Sequence, residues 1–101
     1  MVKPTQLVGD WMSEPRETEF GRCTFEISFR ADGEVNATMR PASGGEPISK
    51  RGKYSLHKGN LVSQVFNGGR PVPISIEGGT LIINISGEPP DRLKRKESGK
   101  P

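Results

Sequence analysis

Between Cys23 and Arg30 apolar and polar residues alternate, with Cys23, Phe25, Ile27 and Phe29 in one set and Thr24, Glu26, Ser28 and Arg30 in the other. An extended chain sends successive side chains to opposite faces, so this period of two predicts a strand with one dry and one wet side. Ala31-Asp32-Gly33 then supplies turn chemistry, and Val35, Ala37 and Met39 alternate with polar neighbours to complete a hairpin. The segment 40–47 holds two prolines and two glycines and reads as a loop.

The same rhythm continues to the end of the chain. A polar strand is expected over Ile48–Leu56 with Tyr54 and Leu56 inward, followed by Leu61–Phe66, Val72–Ile76 and Thr80–Ile85, with Gly-containing turns between them. Two registers are open for Leu61–Phe66: either Leu61 and Val65, or Val62 and Phe66, face inward. Pro71 and Pro73 cannot donate ladder hydrogen bonds, which puts the start of their strand at an edge or bulge. With Leu7–Trp11 at the front and Arg92–Lys96 at the back, the chain carries about eight short strands at 8–12-residue spacing. Ser13–Glu19 is polar and broken by Pro15, and no segment shows a sustained helical period. The expected fold is all-β, a small antiparallel up-and-down barrel, because closure removes two exposed pairing edges.

Several of these segments resemble a known family. Leu7-Val8-Gly9-Asp10-Trp11 resembles the G-x-W opening of lipocalin-like domains, and Phe29-Arg30-Ala31-Asp32-Gly33 their F-x-x-D-G hairpin. Gly52–Leu56, Gly59-Asn60-Leu61 and Gly79–Ile83 follow the later glycine-and-leucine rhythm of small bacterial members, and Arg92-Leu93-Lys94-Arg95 is similar to their basic last strand. The resemblance spans residues 7–96 and implies a compact barrel with an apolar interior. It also implies that Gly9 permits a tight bend, that Trp11 plugs the closed end, and that a basic residue of the last strand lies over the indole. Arg95 shares the parity of Leu93 and is the candidate, with Arg92 as fallback.

Composition and charge narrow the function. The 101 residues fit one domain, expected over 1–96, with 97–101 as a flexible basic tail. Counting the 13 glycines and leaving out the one tyrosine lifts the hydrophobic share from 31% to about 43%, close to the globular norm. The net charge of +3 sits wholly after Glu88: residues 1–88 hold ten charges of each sign. A neutral body with a basic end lacks the basic stripe and interleaved aromatics of a nucleic-acid binder, so no nucleic-acid partner is expected. No apolar run approaches the length of a membrane-spanning helix.

Catalytic chemistry has little to draw on. The single Cys23 is in register with the apolar face and reads as a core thiol, and the single His57 lies in a Lys-Gly-Asn turn. No pair of carboxylates, no metal-ligand spacing and no phosphate loop followed by a helix start appears, so no catalytic residue, metal or cofactor is expected. Asn36-Ala37-Thr38 and Asn84-Ile85-Ser86 fit the glycosylation acceptor pattern but fall inside expected strands.

The expectation is therefore a non-enzymatic barrel that binds a small apolar or amphipathic molecule. Phe25, Phe29, Met39, Tyr54 and Phe66 are the candidate ligand contacts, weighed against a plain core role in so small a barrel. The rival expectation is a protein-interaction module such as a small-barrel protease inhibitor. Inhibitors of that kind act through an extended N-terminal segment and carry a disulfide, whereas here only Met1–Gln6 precede the first strand and no second Cys exists. One Cys and an N-terminus without an apolar block suit either the cytoplasm or a mature extracytoplasmic domain.

Overall fold

The computed structural model describes residues 2–18, 21–85 and 90–96. A short helix, α1 (Pro4–Leu7), precedes nine strand segments: β1 (Gly9–Ser13), β2 (Arg16–Thr18), β3 (Gly21–Phe29), β4 (Glu34–Pro41), β5 (Ile48–His57), β6 (Asn60–Ser63), β7 (Val72–Glu77), β8 (Thr80–Ile83) and β9 (Asp91–Arg95). The strands lie in the order β1-β9-β8-β7-β6-β5-β4-β3, and β1 also pairs with β3. Eight antiparallel strands thus close into a barrel. β2 is not a separate stave. It pairs with the lower part of β3, Arg16 opposite Cys23, just below the stretch that β1 occupies, so β1 and β2 form one strand bent at Glu14-Pro15. Pro15 supplies the break, because its nitrogen has no hydrogen to give the ladder.

The inward set is the one the alternation predicts. Trp11, Ile27, Phe29, Val35, Leu61, Val72, Ile74, Leu81, Ile83 and Leu93 are buried and belong to one core. Three local features differ from the sequence expectation. Leu7 does not begin the first strand but ends α1, a single turn opened by Pro4 at a position where the missing N–H costs nothing. A four-residue helix leaves no periodicity to detect.

The second difference concerns Leu61–Phe66, where Leu61 and Val65 face the core, as the first of the two registers has it, but Phe66 is buried as well. β6 stops at Ser63 and the chain turns through Gln64 and Val65, so Leu61 and Phe66 are both buried despite their opposite parity. The turn consumes the odd residue. Third, β8 ends at Ile83 and β9 runs Asp91–Arg95, one residue earlier than expected. Ile82, on the outer face between Ser75 and Arg92, is only 7% exposed. Ser86 and the tail 97–101 lie outside the described residues, as does the completeness of the second acceptor tripeptide.

Candidate functional site

The two ends of the barrel differ. At the end where β1 starts, α1 folds across the opening and buries Leu7 completely and Val2 nearly so. Trp11 lies beneath it, 1% exposed, and its indole N–H donates to the Leu7 carbonyl at 2.8 Å. Arg95 is the cross-strand partner of Trp11 and sets its guanidinium 4.4 Å from the ring centre. The same guanidinium donates to the carbonyls of Gln6 (2.6 Å) and Val8 (2.9 Å), on either side of the helix end. One side chain therefore stacks on the indole and ties down the segment that covers it. Arg92, the fallback, faces outward on the opposite parity.

Gly9 explains its place in the opening motif. Its φ of +137° suits glycine, and a Cβ there would run into the Arg95 guanidinium.

The five aromatic and methionine candidates separate into two groups. Phe29 meets Tyr54 edge-to-face at 5.0 Å and stacks with Phe66 at 6.3 Å, close to the sealed end. Phe29 and Phe66 are buried, and the Tyr54 hydroxyl donates to the Arg30 carbonyl at 2.8 Å. These three fill the interior. Phe25 and Met39 are cross-strand partners at the far end, and Met39 also pairs with Ile48. All three share the inward parity, yet Phe25 and Met39 are only partly buried and Ile48 is 51% exposed. The far end is open.

Arg16 spans this open end. It shares the inward parity of Cys23, lies 6.0 Å from the centre of the Phe25 ring, and forms an ion pair with Asp91 at the start of β9. Neither residue was marked by any sequence pattern, because Pro15 interrupts the alternation before Arg16 and Asp91 follows a Pro-Pro loop. Cys23 is fully buried near this end, its thiol within 3.6 Å of the Gly21 carbonyl. His57 closes β5 at the other end and is exposed, so the two are not brought together.

Two surface concavities lie elsewhere. One of about 240 Å³ sits between α1 and β7, lined by Val2, Gln6, Ile74, Ser75 and Ile76. The other, of about 630 Å³, lies on the outer face beside β1 and β9 and includes Met12, Glu14, Arg16, Thr80, Arg92 and Lys94. None of the five candidates lines either one.

Burial, and secondarily the Asp32 carboxylate, push the Tyr54 phenol above its ordinary value of 10.0. The folded chain then holds this proton more tightly than the unfolded chain. The stabilisation is complete below pH 10 and declines as pH rises beyond it toward the folded value. Tyr54 is the sole tyrosine, so phenolate absorbance reports it directly. The expected result is a midpoint above that of free tyrosine, with an alkaline loss of stability that Tyr54→Phe reduces. A midpoint at the free value would contradict this.

A closed eight-stranded antiparallel barrel, plugged by a tryptophan after a bend glycine and sealed by an arginine of the last strand, has the lipocalin-like fold. No protein-family model matches the chain, and no curated protein does. Among solved structures it is similar to the lipoprotein YedD from Klebsiella pneumoniae subsp. pneumoniae, with a TM-score of 0.67 and 17% identity. The match covers 98% of this chain and 79% of that one. At that identity the likeness is one of fold. Among the described residues no helix is long and apolar enough to cross a membrane.

Proposed function

We propose that the protein is a non-enzymatic binding module that takes a small apolar or amphipathic molecule at the open end of the barrel. One observation carries the reading. The inward row Phe25–Met39–Ile48 stays partly exposed, while Trp11, Phe29 and Val35 at the sealed end are buried. Exposing adjacent large apolar side chains to water is unfavourable by about 25 cal/mol per Å², a cost that a ligand removes by covering them. Arg16 across this end offers a cation to the polar head of such a ligand, in competition with Asp91. The inhibitor reading draws less support, because Val2 and Leu7 are packed into the core and do not form a free extended segment. The likeness to a lipoprotein favours the extracytoplasmic of the two compartments.

The test is thermal unfolding in the presence of dodecanoate, oleate and retinol. A ligand at about 100 times its Kd adds roughly 2.7 kcal/mol, which raises Tm by well over 5 °C in a domain of this size. Met39→Asp, at the open end, is expected to abolish the rise. No rise with any of the three probes, or a rise with uncharged retinol that is equal in Met39→Asp, would overturn the proposal.

A further inference from the structure

The outer groove beside β1 and β9, which meets the open end only at Arg16, carries an inference of its own. Its cross-strand row is Met12, Lys94 and Thr80, all pointing away from the core. Arg92 lies two residues before Lys94 on the same face, which places the two roughly 7 Å apart along the strand. Among the described residues neither cation has an ion-pair or hydrogen-bond partner, whereas Arg16 at the groove's edge is engaged by Asp91. Met12, 37% exposed, provides an apolar floor. The volume of about 630 Å³ falls within the range of small-molecule sites.

We propose that this groove binds a small amphipathic anion, a phosphate or carboxylate on a short apolar chain. The Arg92 fork engages two oxygens of the anion, Lys94 adds a second charge, and the chain lies on Met12. The Glu14 carboxylate at the rim opposes the anion, so among the described residues two cations without an ion-pair partner face one acid without one. That opposition is itself a prediction, because removing it strengthens binding.

The experiment titrates the isotope-labelled full chain with butyl phosphate at low salt and follows backbone amides by NMR. Amides of Met12, Thr80, Arg92 and Lys94 are expected to shift, while those of Met39 and Ile48 stay fixed. Arg92→Gln with Lys94→Gln weakens binding about ten-fold or more, and Glu14→Gln tightens it about two- to five-fold. Unchanged amide dispersion shows that the variants fold. Absent groove shifts, undiminished binding in the double variant, or equal shifts with butanol would overturn the proposal. Vesicles separate the two sources of such an anion. Sedimentation with phosphatidylglycerol but not phosphatidylcholine supports the site with a lipid headgroup as its source. Butyl phosphate binding without sedimentation supports it with a free small molecule.

Discussion

Replacing Trp11 by alanine is expected to destabilise the barrel by about 3–5 kcal/mol, a large share of the roughly 5–15 kcal/mol available to a domain of this size. The ring is 1% exposed and sits between the core and the plug formed by α1. Its removal leaves a cavity that the closed barrel wall cannot collapse into. It also strips the Leu7 carbonyl of its buried donor and leaves the Arg95 guanidinium without the ring it covers. Chemical denaturation reads the loss directly, and the corresponding fall in Tm is about 15 °C or more. Arg95→Met, which keeps the aliphatic stem but loses the stacking and two backbone contacts, should cost less, about 1–3 kcal/mol. A Trp11→Ala loss below about 1.5 kcal/mol would mean that the plug is not part of the cooperative fold.

The second large effect is expected at Phe29, and it is informative because of its contrast with Phe25. Both residues sit on β3 with the same parity, four positions apart. Phe29 is 1% exposed and packed against Tyr54 and Phe66. Phe29→Ala should therefore cost about 3–5 kcal/mol, including the aromatic contacts. Phe25 is only partly buried at the open end, and Phe25→Ala should cost about 1.5 kcal/mol or less while weakening ligand binding. Equal costs at the two positions would erase the distinction between filled core and open end. Paired denaturation curves of the two variants settle it.

That contrast marks how far the sequence could be read. The alternation from Cys23 to Phe29 announces a strand and its inward face, since period two is a property of the backbone. Depth along the barrel axis leaves no such trace, so Phe25 and Phe29 look alike until the ends are seen. The Gly9, Trp11 and Arg95 arrangement was legible through the resemblance of the opening motif to lipocalin-like domains, and the parity of Leu93 chose Arg95 over Arg92. Arg16 and Asp91 were not, because each follows a proline that resets the alternation and their ion pair joins segments far apart in the chain. The turn after Ser63 was hidden for a related reason. Gln64-Val65 has no glycine or proline to announce it, and the turn is held by Ser63, whose hydroxyl accepts from the Val65 amide and whose carbonyl accepts from that of Phe66.

The proposed binding requires one sealed end and one open end that takes the ligand. An amide-resolved NMR titration with dodecanoate addresses it most directly. The prediction is saturable shifts at Phe25, Met39 and Ile48, with Trp11, Phe29 and Leu7 unmoved. Shifts centred on Trp11, Phe29 and Tyr54, or no saturable shift anywhere on the barrel, would contradict it.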